Sequence, residues 1–255
     1  MSSRQPFTGR RSYSVSQNYL TSGRLIERLL DRTSITHNDL VVEIGAGKGH
    51  ITRALLPRCD TLRAVEIDPA LHRTLVSQWH GNPRLQLICG DFLKRPLPPA
   101  PYKVFANIPF SITTAIMRKL TTAPNPPEEC WLVMEKGAAR RFMGFPRESV
   151  DSLALKPYFH TEIIHHFRRE DFHPMPSVDV VLLHLLKKAT YDLPYSRRAE
   201  FAGFVRQCIA YGLRAALTPK QIAVACKKSG QPIPAGGEIM YIQWLCLFRS
   251  YAQCR

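Results

Sequence analysis

Short apolar runs alternating with amphipathic stretches fill the first two thirds of this 255-residue chain and leave few architectures open. The runs are Leu40–Ile44, Leu62–Ile67, Leu85–Cys89, Val104–Ile108 and Cys130–Met134. Helical patterns fall at Gly23–Leu30, His50–Leu56, Pro69–Trp79 and Thr113–Leu120. Strands parted by helices pair in parallel, and a parallel sheet needs helices on both faces. Two later runs, His160–Phe167 and Val178–Leu186, have little between them and predict an antiparallel pair closing the sheet edge. The expectation is an α/β fold built on a doubly wound sheet.

The character changes after Lys187-Lys188. Helical patterns at Arg198–Ala216, Pro219–Lys228 and Glu238–Ser250 are punctuated by Pro194, Pro219 and the stretch 230–237. From His184 onward there are 11 Lys and Arg against three acidic residues, a net +8 over 72 residues. The chain as a whole carries 35 Lys and Arg against 20 Asp and Glu, a net +15, which points to a polyanionic partner. The expected division is a flexible basic tail over 1–15, a ligand-binding α/β domain over 16–186 and a small, all-helical basic domain over 187–255.

Glu43-Ile44-Gly45-Ala46-Gly47-Lys48-Gly49 reads as a strand running into a glycine turn and a helix start. Its alternate glycines depart from G-x-G-x-x-G, which weakens a dinucleotide reading, and Lys48 is followed by glycine where a P-loop needs Ser or Thr. The next strand ends at Glu66-Ile67-Asp68, where a carboxylate suits ribose hydroxyls. A third ends at Gly90-Asp91-Phe92, offering a carboxylate for an adenine amino group, although an Asp there also suits a helix cap. Asn107-Ile108-Pro109-Phe110 then puts an amide, a proline and an aromatic ring on one loop. In open α/β sheets such strand ends are where ligands gather.

Those motifs in that order, with Ser16-Gln17-Asn18-Tyr19-Leu20 ahead of them, resemble the S-adenosylmethionine-dependent rRNA adenine N6-methyltransferases from about Ser12 to the basic helical tail. Gly47-Lys48-Gly49-His50 and Asn107 to Thr114 are similar to the erythromycin-resistance (Erm-type) enzymes acting on large-subunit rRNA. The small-subunit dimethyladenosine transferases more often carry Asn-Leu-Pro-Tyr. The resemblance implies a Rossmann-like fold of the methyltransferase type, S-adenosyl-L-methionine as cofactor and 23S rRNA as partner. It further implies resistance to macrolide, lincosamide and streptogramin B antibiotics. It assigns the cofactor site to Gln17, Asn18, Leu20, Gly45, Ala46, Gly47, Glu66, Ile67, Asp91, Phe92, Ala106 and Asn107. The target-base site falls to Asn107, Ile108, Pro109, Phe110 and, through the similar segment Phe172–Asp179, to Phe172 on the opposite face of the adenine.

Adenine N6 is a poor nucleophile because its lone pair is delocalised into the ring. Carbonyl groups of Asn107 and Ile108 accepting its two hydrogens would turn the lone pair toward a sulfonium methyl, so that positioning and electrostatics supply most of the catalysis. Pro109 fixes φ and aims the loop. Phe110 stacks on the base, worth roughly 1–3 kcal/mol. A base inside a duplex could not reach such a pocket, so an unstacked or flipped adenine is required.

Histidines at 160, 165, 166, 173 and 184 lack carboxylates or cysteines at ligand spacing, and no metal is expected. Seven scattered cysteines without a CxxC pair suit buried apolar residues in a reducing cytosol. No apolar run approaches the roughly 20 residues that span a bilayer, and the basic N-terminus lacks the apolar core of a secretory signal. A soluble, cytoplasmic monomer without membrane contact is expected. Two other readings compete: a small-subunit rRNA dimethyltransferase, and a non-catalytic RNA-binding module on a methyltransferase fold.

Overall fold

The computed structural model describes residues 18–233 and 238–253, so Gln17 and the arginines at 4, 10 and 11 lie outside it. The described chain enters through β1 (Tyr19–Leu20) and α1 (Gly23–Leu30). It then alternates β2 (Leu40–Ile44), α2 (His50–Leu55), β3 (Thr61–Glu66), α3 (Pro69–Gln78), β4 (Leu85–Cys89), β5 (Lys103–Asn107), α4 (Thr113–Thr122) and β6 (Glu129–Glu135). Two short helices, α5 (Lys136–Met143) and α6 (Val150–Leu155), lead to β7 (Phe159–His166), β8 (Phe172–His173) and β9 (Val180–Lys187). The helices α7 (Arg198–Tyr211), α8 (Pro219–Ser229) and α9 (Tyr241–Ala252) follow.

Seven strands form one sheet in the order β4-β3-β2-β5-β6-β9-β7. The first five are mutually parallel, and β9 runs antiparallel to both β6 and β7. The chain winds outward from β2 to β4, then crosses back to lay β5 on the other side of β2. That reversal is the switch point of a doubly wound sheet. The late antiparallel pair closes the edge as the sequence indicates, with β9 inserted between β6 and β7.

Successive strand residues serve opposite faces. Val41, Phe105, Trp131 and Leu182 pack with Leu25, Ile26, Leu29, Leu30 and Leu55. Their neighbours Val42, Val104, Leu132 and Leu183 pack with Ile116, Met117 and Leu120. This period of two, with both faces apolar, is what a helix-covered sheet demands. The second cluster runs on without a break into Phe201 and Phe204 of α7 and Trp244 and Phe248 of α9. The C-terminal helices therefore share one apolar core with the sheet, and among themselves they pack through contacts such as Phe201 of α7 edge-on to Phe248 of α9 at 5.0 Å.

Local chemistry sets the helix boundaries. Ser22 accepts from the Leu25 amide at 3.2 Å to start α1. Asp68 caps α3 ahead of Pro69, and Thr218 caps α8 ahead of Pro219, the residue order that favours a helix start. The helix expected over Arg198–Ala216 stops at Tyr211 because Gly212 takes φ 82° and ψ 164°, leaving only a 3-10 turn beyond it. The last helix begins at Tyr241 rather than Glu238. Neither α5, which carries a glycine and buries only Ala139 and Phe142, nor the six-residue α6 shows a readable stripe. Among the described residues no helix is long and apolar enough to cross a membrane.

Candidate active site at the switch point of the sheet

Because β4, β3, β2 and β5 are parallel neighbours, their carboxyl ends share one edge. Along it lie Asp91, Glu66, Gly45 and Asn107, in that spatial order. The gap between β2 and β5 is the switch point, where the two halves of the sheet diverge and leave a crevice for a ligand.

On the β2 side the backbone turns sharply through Gly45, Gly47 and Gly49, with φ of 74°, 57° and 78°. Side chains at two of these positions would also collide with neighbours. A Cβ on Gly47 would stand 2.7 Å from the Tyr19 ring, and one on Gly49 2.5 Å from Trp79 and 2.9 Å from Leu75. Glu66 holds the bend from below: one carboxylate oxygen accepts the Gly47 amide at 2.7 Å, the other the Asp68 amide at 2.8 Å. A carboxylate oxygen has two lone pairs, so each retains capacity for a further donor. Beneath this layer Glu43 is 1% exposed. One of its oxygens accepts the Thr52 hydroxyl at 2.7 Å, and the other is buried with no hydrogen-bond partner. Burial outweighs the Thr52 hydrogen bond and, with repulsion from Glu66, pushes the Glu43 carboxyl up to about 8.

On the β5 side Asn107 ends its strand half-buried, and its amide nitrogen donates to the Asn18 carbonyl at 2.6 Å. That bond fixes the rotation of the amide plane, so the side-chain oxygen is directed away from Asn18. Ile108 is anchored by its amide to the Val133 carbonyl at 3.2 Å, its side chain buried. Pro109, at φ −61° and ψ 126°, turns the chain into the short 3-10 segment Phe110–Ile112. Asn18, Tyr19, Gly45, Asn107, Ile108, Pro109 and Phe110 line one cleft. The glycine bend and the Asn107 loop thus form two walls of the same crevice.

The remaining expected residues occupy other positions. Leu20, Ala46 and Ala106 are buried, and Ile67 is half-buried beyond the end of β3. Asp91 accepts the Leu93 amide at 2.9 Å and so caps a 3-10 turn. The Phe92 ring is 7% exposed, with the Lys119 ammonium 5.2 Å from its centre. Phe172, expected against the adenine, is 2% exposed and lies edge-on to Phe167 at 5.2 Å. It sits in β8, whose pairing with β1 sets Leu20 opposite Phe172, and it faces the core rather than the cleft. A phenyl ring gains more from that apolar burial than from exposure at a rim.

Two participants escaped the sequence reading. Tyr19 walls the cleft over Gly47, and burial, together with the charges of Glu66 and Asp68, raises its phenol above the usual range. Glu43 was visible as part of a motif, but its burial was not. Both stand inside quoted motifs, Tyr19 in Ser16–Leu20 and Glu43 at the head of the glycine turn, but neither motif indicates these roles. Of the histidines, His184 stacks on Trp131 and bonds Glu129 at 2.9 Å, a structural role. Among the described residues no group of His, Cys, Asp or Glu is arranged to hold a metal ion.

Comparison with known proteins converges on one family. The family model described as ribosomal RNA adenine dimethylase matches residues 7–218. An rRNA adenine N-6-methyltransferase of Lysinibacillus sphaericus is 32% identical over 237 residues, covering 92% of this chain and 95% of the relative. One from Bacillus licheniformis is 32% identical over 250 residues, covering 93% and 86%. Among solved structures, the 23S rRNA methyltransferase ErmE superposes with a TM-score of 0.79 at 27% identity, covering 92% of this chain and all of that one. A dimethyladenosine transferase from Plasmodium falciparum shares the fold at a TM-score of 0.73 and 20% identity, covering 92% and 97%. With a family model spanning most of its length, and relatives of this identity matched nearly end to end, the chain belongs to the ribosomal RNA adenine dimethylase family.

Proposed function

We propose that this chain transfers a methyl group from S-adenosylmethionine to N6 of an unstacked adenine in large-subunit ribosomal RNA. In a bacterial cytoplasm the consequence would be macrolide, lincosamide and streptogramin B resistance. The observation that carries this reading is the Asn107 amide, locked by the Asn18 carbonyl at 2.6 Å, on the wall facing the glycine bend.

The residues present fit the donor. The bend at Gly45–Gly47 brings bare backbone to the cleft, and Glu66 keeps acceptor lone pairs for ribose hydroxyls after binding two amides. Asp91 and Ile67 lie farther along the same edge, suited to the adenine end, with Asn18 and Leu20 entering from the N-terminal side. When bound, the donor supplies an electrophilic methyl on a sulfonium.

The protein's own contribution is positioning. With its nitrogen committed to Asn18, Asn107 presents only its oxygen to an incoming exocyclic amine, which selects a hydrogen-bond donor over an acceptor. The Ile108 carbonyl, aimed by Pro109, accepts the second N6 hydrogen, and together they draw the nitrogen lone pair out of conjugation. Phe110 stacks on the base, holding it while the methyl is transferred. No strong base is required, because the methylated nitrogen is acidic and loses its proton readily. Phe172 serves this site from below, by fixing β8 against β1 and hence the Asn18 carbonyl. The basic helical part, 187–255, contacts RNA phosphates, which position a substrate without reading its sequence. The enzyme acts as a monomer.

The test is transfer from labelled S-adenosylmethionine to protein-free large- and small-subunit rRNA, followed by nucleoside analysis. Label is expected on adenine N6 of the large-subunit RNA. Label on the small-subunit RNA would make it a dimethyltransferase of the other ribosomal subunit, and label on cytosine or on protein would refute the reading.

A further inference from the structure

The helix α5 and the loop after it project from the rim of the base site, and neither is used by the reaction just described. Arg141 reaches from α5 to the Thr114 hydroxyl at 2.7 Å, tying this helix to the first turn of α4, directly beyond the Asn107–Phe110 loop. Lys136, at the start of α5, donates its backbone amide to the Asp179 carbonyl at 2.8 Å. The helix is thus braced from both sides of the site.

Its far end is a rigid cap. Gly144, at φ 79°, donates to the Arg141 carbonyl at 3.2 Å, and the Phe145 amide donates to the Arg140 carbonyl at 2.9 Å. In this termination motif the residue after the glycine packs on the residue one turn back. Here that pair is Phe145 and Arg140, and the guanidinium lies 4.0 Å from the ring centre. Even so, Phe145 remains 54% exposed. A lone exposed phenylalanine needs no explanation. One capped by a guanidinium, held outward on a fixed backbone and followed by Arg147, does. A further apolar side chain, Ile112, stands 36% exposed between the base site and this ridge.

We propose that Phe145 and Arg140 form a stacking platform for an unpaired nucleotide of the RNA substrate, flanking the target adenine along α5. The chemistry favours single-stranded nucleic acid. The ring offers a π-face to any base, the Arg140 guanidinium against it adds cation–π attraction, and Arg147 supplies phosphate-neutralising charge two residues on, whereas Lys136 at the other end of the helix pairs with Asp179 at 3.7 Å. An apolar protein partner would gain little from the guanidinium stacked on the ring, and the chain's net +15 favours a polyanion. The platform would hold the strand where it leaves the duplex, keeping the target base extruded while Asn107 engages it.

This inference rests on the RNA reading above, so the experiment must separate the two. Full-length wild type, Phe145→Ala, Phe145→Trp, Arg140→Lys and Arg147→Ala are compared for affinity toward fluorescent protein-free large-subunit rRNA, across ~50 to ~200 mM salt, and for turnover. Phe145→Ala should weaken RNA binding about tenfold, raise KM for RNA equally, and leave kcat and S-adenosylmethionine affinity within about twofold. Phe145→Trp should restore binding. Arg140→Lys, which keeps the charge and loses the plane, should lie between them. The slope of log affinity against log salt should stay unchanged in Phe145→Ala and fall by about 0.7 to 0.9 in Arg147→Ala. If wild type binds rRNA and Phe145→Ala binds it equally well, the platform is refuted while the functional reading stands. A wild type that binds no rRNA at all would overturn both.

Discussion

The two walls of the cleft are built in different ways. On the glycine-bend side the polar contacts are local, although one buried Glu43 oxygen accepts no hydrogen bond. Glu66 accepts amides 19 and two residues away, and Thr52 bonds Glu43 from nine residues on. On the facing wall, Asn107 takes its orientation from a carbonyl 89 positions earlier. The hydrogen bonds that hold the bend therefore all form within the segment from β2 to Asp68. The acceptor wall waits on the N-terminal segment, which is held by a two-residue strand pair and by His50, whose Nδ1 lies 2.9 Å from the Leu20 carbonyl. Donor binding and base selection should accordingly be separable by mutation.

The sharpest separation comes from Asn107→Ala. Turnover on rRNA should fall about a thousandfold or more, the scale of losing one preorganised electrostatic contact. Donor affinity, measured calorimetrically, should change only a few-fold. A comparable loss of donor affinity would merge the two walls into one unit.

Next in size is Phe172. Cutting this buried ring to alanine should cost about 3–5 kcal/mol of stability by denaturant melts. Phe172→Leu keeps most of the apolar volume and should retain both β1 anchoring and most of the rate at saturating RNA. If Phe172→Leu folds normally but loses the rate as fully as the alanine variant, the ring reaches the base during turnover.

Glu43 probes the donor wall through pH. Its folded-state carboxyl titrates at about 8, above the ordinary value of 4.5, so the folded protein holds a proton that the unfolded chain has released. Stability from this group is fully present below 4.5, declines as pH rises, and is exhausted above about 8. Glu43→Gln, which mimics the neutral acid, should exceed wild type in stability by about 2–4 kcal/mol at pH 9. The gap should shrink toward zero near pH 5, as read by thermal melts across that range. An equal gap at both pH values would mean that Glu43 is ionised throughout.

The smallest effect is expected from Glu66→Gln. It replaces one amide-accepting oxygen with an NH2 group while preserving shape, and should weaken donor binding about tenfold, about 1.4 kcal/mol, with kcat little changed at saturation. A fall in kcat without a change in donor affinity would reverse the assigned roles of the walls.

This contrast also governs how much could be read before folding. The bend was legible because positive φ demands glycine and because parallel strands end in a row. A reader of Gly45, Glu66, Asp91 and Asn107 could place all four on one edge. The orientation of Asn107 was not legible, since nothing in Asn18-Tyr19-Leu20 signals that a backbone carbonyl there meets an amide 89 residues on. Phe172 misled for a related reason. A resemblance can align a residue with a base-contacting loop, but whether a ring turns outward or into a core depends on packing by Phe167 and Leu20, set by tertiary contacts. The short α5 was opaque because its buried face is only two residues wide.

The central claim is that one crevice holds donor and acceptor against opposite walls. Its most direct test is a crystal structure of the protein with S-adenosylmethionine soaked in. The ligand should lie across the switch point, its ribose over Glu66 and its methyl pointing at the Asn107 oxygen, with the Asn107 to Asn18 bond intact. A bend left empty, or a methyl facing away from the Asn107–Phe110 loop, would contradict the account.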